Sequence, residues 1–245
     1  MRIHAKMKMA DLVQFNFEIL AVIQRLQIPF GFKDKSIETV CRESSINVDF
    51  FLQLAQWFNE RENFPQQQLI DHPPHWLVTY LHNTHQCYIN YQIPRIEKEI
   101  EQLESMTEIP DQTAALMIRF FKEYIKEFSE HLDDEEQVTF PYVLDLEKAI
   151  NGEMTSEQFR DKYSEYSIDK YLDHHSDLEE KIFDMQSILL KYMSPPSDNC
   201  HFTNLLLEFY RLGKDLKDHT ILEENVLIPK VRQMEAELKK RPSFF

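Results

Sequence analysis

Apolar residues recur at helical spacing in three short stretches of the first 60 residues. The first stretch, MADLVQFNFEILAVIQRLQI, predicts one amphipathic helix that ends before Pro29 and Gly31. Ser36 suits the N-cap of a second helix over SIETVCRESS, and Asn47 suits that of a third over NVDFFLQLAQWFNE. We therefore expect residues 1–62 to form a small helical N-terminal module.

A different pattern follows. Residues 63–75 contain three prolines and a glutamine run without periodicity, which predicts a linker. Beyond it lie four long helical patterns, with approximate bounds Trp76–Met106, Gln112–Ile150, Asp169–Tyr192 and Cys200–Lys240. Long amphipathic helices with short connections are typical of an antiparallel up-down bundle. The predicted fold class is all-α, with a four-helix bundle over residues 76–245 behind the N-terminal module.

Composition narrows the class of protein. Only three of the 245 residues are glycine, which argues against Gly-rich phosphate-binding loops and against a turn-rich β protein. The net charge of −15 lacks the basic footprint of a nucleic-acid-binding protein. We find no G-x-S-x-G, H-E-x-x-H or P-loop motif, so no hydrolase constellation is indicated and catalytic residues stay unassigned.

Cysteine usage and hydropathy bear on location. The three cysteines, Cys41, Cys87 and Cys200, are widely spaced and form no CxxC motif, which suits a reducing compartment. The N-terminus lacks a secretory pattern, and no run of 18 or more apolar residues is present. We expect a soluble cytoplasmic protein with no membrane partner.

One acidic, histidine-bearing segment occurs twice. HLDDEEQVTFPYV, beginning at His131, and HTILEENVLIPKV, beginning at His219, agree at six of thirteen positions. Each places a glutamate four residues after its histidine, Glu135 or Glu223, on the same face of a helix. The repeat extends backwards, because His85 precedes His131 by 46 residues and His175 precedes His219 by 44. Composition alone does not account for such a repeat.

The repeat predicts a metal site in the bundle core, since buried imidazoles and carboxylates are costly unless they coordinate metal. Imidazole and carboxylate without thiolate suit iron, manganese or zinc, and two carboxylates can bridge two ions. His82 lies one turn before His85 and is an alternative ligand; Glu136 and Glu224 are expected on the solvated side. The competing interpretation is two solvated helix faces on a metal-free interaction protein.

The repeated segments resemble the paired H-x-x-x-E-E…P segments of hemerythrin-like (HHE cation-binding) domains, and in particular the repair-of-iron-centres (RIC) proteins. The resemblance covers about residues 77–231 and extends to the N-terminal helices, although the adjacent cysteine pair common in that module is missing. It implies a non-haem diiron site bridged by two glutamates, with the ligands His85, His131, Glu135, His175, His219 and Glu223. The match at His85 is partial, because Gln86 stands where the family has a second histidine.

The resemblance also implies a function. It favours a diiron protein that protects or repairs iron–sulfur clusters under nitrosative or oxidative stress, with NO and O2 as small diatomic ligands and iron–sulfur proteins as partners. The alternative is a hemerythrin-like protein that binds or senses O2 or NO without repair activity. Whether the protein is an enzyme stays open.

Overall fold

The computed structural model describes residues 2–103, 112–172, 178–194 and 197–241. Within these ranges the regular structure is helical, apart from one isolated β-bridge between Lys8 and Ser36. The α-helices are α1 Met9–Phe15, α2 Ile19–Arg25, α3 Ile37–Glu43, α4 Val48–Asn59, α5 Gln66–Ile70, α6 Pro74–Cys87, α7 Ile93–Ile100, α8 Gln112–Asp134, α9 Phe140–Asn151, α10 Ser156–Lys162, α11 Ile168–Leu172, α12 Leu178–Tyr192, α13 Asn199–Leu222 and α14 Ile228–Lys239.

The first predicted helix is in fact two helices. Asn16 separates α1 from α2, with φ −140° and ψ 103°. Its side-chain oxygen accepts a hydrogen bond from the Glu18 N–H at 3.0 Å, and its amide donates to the Phe58 carbonyl at 3.2 Å. Because an asparagine side chain can replace helical backbone hydrogen bonds in this manner, the helix ends at Asn16 despite continuous apolar periodicity.

Both predicted N-caps are confirmed. The Ser36 hydroxyl accepts from the Thr39 N–H at 3.2 Å at the start of α3, and the Asn47 side chain accepts from the Phe50 N–H at 3.0 Å at the start of α4. Each cap satisfies a backbone donor that the first helical turn leaves without an intrahelical partner.

The expected linker, residues 63–75, contains the short helix α5. Leu69 and Ile70 of this helix are buried together with apolar residues of α1 to α4. The division of the chain into a module, a linker and a bundle stays a prediction.

In the described part of the chain, three π-helical turns interrupt the long helical segments. They are Tyr88–Gln92 between α6 and α7, Glu135–Thr139 between α8 and α9, and Glu223–Leu227 between α13 and α14. Each is followed within two residues by a proline, respectively Pro94, Pro141 and Pro229. A proline inside a helix lacks the N–H donor and crowds the carbonyl four residues before it, and a widened turn accommodates both effects. The helical direction therefore continues through the prolines.

The described helices enclose two hydrophobic cores. The first core combines α1–α5 with the start of α6, with α9 and with the chain from Leu222 to Leu238. The second core combines Tyr88–Leu103, Ala114–Leu132, Leu178–Leu189 and Leu205–Leu216. Around these cores α6 packs on α9, α7 on α8 and α13, α12 on α8 and α13, and α14 on α9. No helix in the described ranges has the length and hydropathy needed to cross a bilayer.

Candidate metal centre

Four of the candidate ligands, namely His85, Glu135, His219 and Glu223, lie between the two hydrophobic cores. His85 falls between Leu81 of the first core and Tyr88 of the second, and His219 falls between Leu216 and Leu222. Glu135 and Glu223 are the first residues of their π turns. Because π turns inside α-helices are frequent at functional sites, their coincidence with the predicted ligands marks this layer as the site.

Five of the six predicted ligands form a continuous chain of polar contacts. His131 Nε2 lies 3.0 Å from Glu135 Oε1, and Glu135 Oε2 lies 3.1 Å from His85 Nε2. The Nε2 atoms of His85 and His219 are 2.8 Å apart, and His219 Nδ1 lies 3.2 Å from Glu223 Oε2. The two copies of the repeated motif therefore meet through His85. The sixth residue, His175, and its neighbour His174 lie outside the described residues.

The centre of this chain is closed to solvent. The side chains of His85 and Glu135 are fully buried, and Glu223 is 2% exposed. Burial acts to lower the pKa of His85, but hydrogen bonds with Glu135 and Glu136 outweigh it and raise the pKa to about 9. Burial acts to raise the pKa of Glu135, yet hydrogen bonds with His131 and His85 hold that pKa well below its ordinary range. Glu135 is consequently ionised, as a metal ligand must be.

Aromatic side chains fix the orientation of the imidazoles. Phe140, the first residue after its π turn, stacks on His85 with ring centroids 5.3 Å apart and planes 13° apart. Tyr88 lies beside His219, with centroids 6.0 Å apart.

The Tyr171 hydroxyl donates a hydrogen bond to Glu135 Oε1. Sequence reasoning did not single out Tyr171, which lies four residues before His175 in the chain.

The two first-helix candidates occupy different positions. His85 lies in the buried cluster, whereas His82 is 46% exposed and lies 2.8 Å from a carboxylate oxygen of Glu136. The expectation that Glu136 is merely solvated is wrong: its other oxygen lies 2.7 Å from His85 Nδ1, so it connects the two histidines. Glu224, its counterpart in the repeat, is exposed as expected.

A cavity of about 300 Å³ adjoins the cluster. Apolar and aromatic side chains form much of its wall, and exposed Glu180 and Glu224 place its edge at the surface. Its full lining is Tyr88, Phe128, His131, Leu132, Leu178, Glu179, Glu180, Leu216, His219, Thr220, Glu223 and Glu224. The site therefore has space for a small molecule beside His131, His219 and Glu223.

The donor set fits a cation. One ligand atom each from His85, Glu135 and His219 lies within 4.8 Å of the others, and all three residues are buried. Ligands of one ion at bond lengths near 2.1 Å lie about 3 to 4 Å apart, so these atoms can share an ion with little movement. Buried ionised groups are otherwise expensive, and imidazole with carboxylate suits iron, manganese or zinc.

Comparison with known proteins agrees with this chemistry. The family model for the hemerythrin HHE cation-binding domain matches residues 94–231, which is more than half of the chain and includes both copies of the repeated motif. His82 and His85 lie just ahead of the matched segment. No curated protein and no solved structure matches the chain. On the family match, this chain belongs to the hemerythrin HHE cation-binding family.

Proposed function

We propose that residues 76–245 form an antiparallel four-helix bundle that would hold two non-haem iron ions, with Glu135 and Glu223 as its carboxylate ligands. The proposed histidine ligands are His85, His131, His175 and His219, with His82 as the rival on the first helix. The observation that carries the proposal is the continuous contact chain from His131 to Glu223, which brings donors from three helical segments into one buried layer.

Metal content is the first test. The chain is expressed with iron, purified without oxygen and analysed for iron, manganese and zinc. We expect close to two ions per chain, predominantly iron, and loss of most of them in the His131→Ala/Glu223→Ala variant. A stoichiometry well below one ion per chain after iron-replete expression would instead support a metal-free interaction protein.

The residues around the ions define what the site can do. Iron held here would supply reversible or reactive binding of a diatomic molecule such as NO or O2. The cavity beside His131 and His219 supplies room for that molecule, and Tyr88, Phe128 and Leu132 restrict water in it. Tyr171 keeps Glu135 in place by donating to it.

We assign this chemistry to the protection or repair of iron–sulfur clusters under nitrosative or oxidative stress, on the resemblance to RIC proteins. The test is the reactivation of an enzyme whose iron–sulfur cluster has been damaged by NO. Iron-loaded protein should restore its activity, and the His131→Ala/Glu223→Ala variant should not. Equal recovery with the wild type and the variant, or none with either, would rule out repair.

The second candidate is reversible binding or sensing of O2 or NO without repair, which the same cavity favours. Optical titration separates the two candidates. A stable, reversible O2 adduct supports sensing, whereas rapid reaction with NO and no reversible O2 adduct supports repair. We place the protein in the cytoplasm, which is consistent with its three free cysteines.

A further inference from the structure

Glu136 connects the candidate centre to the surface. Its Oε1 lies 2.7 Å from His85 Nδ1 and its Oε2 lies 2.8 Å from His82 Nδ1. Exposure falls along this path, from 46% for the His82 side chain to 20% for Glu136 and zero for His85. One carboxylate thus spans the distance between a surface histidine and a buried one.

The contact determines which nitrogen of His85 faces the site. An ionised carboxylate only accepts hydrogen bonds, so Nδ1 of His85 carries the proton and donates it to Glu136. The other nitrogen, Nε2, then faces Glu135 and His219, within 3.1 Å of both, and is the nitrogen that would ligate a metal ion. Stacking on Phe140 fixes the plane of the same ring.

We infer that Glu136 is a positioning residue for the metal centre, and that His82 acts only by anchoring Glu136 and is not itself a ligand. The inference rests on the proposed metal-binding function and deepens it. A carboxylate that holds the far nitrogen of a metal-binding histidine orients the ring and raises the basicity of the ligating nitrogen. The two halves of the repeat differ here, since the counterpart Glu224 is exposed.

The test measures ferrous iron affinity by anaerobic competition with a chelator. Glu136→Gln keeps the shape of the side chain and should weaken binding by about 10- to 100-fold. His82→Gln should weaken it less than Glu136→Gln, and His85→Gln should weaken it most. The control is Asp133→Asn, which removes the same charge from an exposed position at the end of α8, three residues earlier, and should leave the affinity unchanged.

A second readout separates positioning from a merely structural role. In zinc-loaded protein, the Nδ1–H proton of His85 should give a slowly exchanging magnetic-resonance signal, and Glu136→Gln should accelerate its exchange with water. Far-ultraviolet circular dichroism establishes that each variant is folded. If Glu136→Gln does not fold, the His82→Gln variant decides: a loss smaller than that of His85→Gln supports the inference, and no loss overturns it.

The remaining outcomes are distinguishable. Wild-type affinity in Glu136→Gln would overturn the positioning role and leave the proposed function intact. A loss in His82→Gln as large as that in His85→Gln would make His82 a ligand and overturn the inference. Failure of the wild-type chain to bind iron or zinc at all would overturn both proposals.

Discussion

Arg25 of α2 donates two hydrogen bonds to the carboxylate of Asp215 in α13, four residues before His219. The guanidinium is 3% exposed and the carboxylate 13%, so this ion pair is largely removed from water. Arg25 also donates to the Tyr80 hydroxyl at 3.3 Å. The N-terminal helices therefore hold the helix that carries a candidate ligand.

Replacing Arg25 with methionine should lower the free energy of unfolding by about 3 kcal/mol, because Asp215 is left as an unpaired, poorly solvated charge. The double variant Arg25→Met/Asp215→Leu should recover at least half of that loss. Urea unfolding of the three proteins checks the expectation. Lys35→Met, which breaks the exposed ion pair with Glu43, is the control and should change little.

Tyr171→Phe should lower the free energy of unfolding of the metal-free protein by about 1.5 to 3 kcal/mol, since it removes a hydrogen bond to the buried, ionised Glu135. The matched change is Tyr166→Phe, which removes the 2.9 Å hydrogen bond between the Tyr166 and Thr139 hydroxyls. This change should lower the free energy of unfolding by about 1 kcal/mol. Chemical denaturation without metal compares them. Equal losses would mean that the Glu135 carboxylate draws no special stabilisation from Tyr171.

Asp145 should make stability depend on pH. Burial acts to raise its pKa, but hydrogen bonds from Lys148, Lys162 and Tyr163 outweigh it and hold the pKa at about 2, below its ordinary 3.8. The stabilisation is therefore fully present above pH 4 and is lost as the pH falls towards 2. It should amount to roughly 1 kcal/mol once solvent screening by the half-exposed lysines is included.

The comparison for this prediction is unfolding of the wild type and of Asp145→Asn at intervals from pH 5 down to the lowest pH at which both fold. The difference between them should shrink as the pH falls. Asp169→Asn, which breaks an exposed pair with Arg232, should show a small difference. A constant gap for Asp145→Asn would contradict the depressed pKa.

Gly213→Ala should destabilise the fold although alanine is the better helix former. A Cβ atom at Gly213 would lie 2.8 Å from Gln186 Nε2 and 3.0 Å from Ile182 Cγ2. Buried Gln186 donates to the Phe209 carbonyl at 3.0 Å, so it cannot move aside without losing that bond. We expect a net loss of about 1 kcal/mol by thermal or urea unfolding. Adding Gln186→Ala should remove the clash with that side chain. If the double variant loses as much free energy of unfolding as the two single variants together, crowding is not the cause.

Much of the fold was predictable from local pattern. Within the described residues, the repeated His-x-x-x-Glu segments and the four long periodic stretches are helical, as predicted. Ser36 and Asn47 cap helices because cap residues act through their own neighbours. The local pattern gave a wrong prediction where a helix boundary depended on contacts between residues distant in the chain. Asn16 ends α1 partly through its bond to Phe58, which is 42 residues away.

The site was predictable in its residue types and less so in its geometry. The expectation for Glu136 assumed the 100° per residue of an ideal α-helix. Glu136 instead lies in a π turn, where i→i+5 bonding turns successive residues through a smaller angle, and there it reaches His85. The proline after each π turn is visible in the sequence. A proline predicts that the helix is interrupted there, but it does not predict that the interruption is a π turn.

The polar layer between the two cores also has a consequence for stability. Replacing buried charged and hydrogen-bonded groups with apolar residues of similar volume is often neutral or stabilising. A chain selected for folding alone would gain by filling the positions of His85, Glu135, His219 and Glu223 with leucine and phenylalanine, which would merge the two cores into one. The imidazoles and carboxylates of this layer therefore cost stability in the metal-free protein. An apolar replacement of the whole layer should accordingly yield a more stable helical protein that does not bind metal. Such a protein would be a useful scaffold into which other sites can be designed.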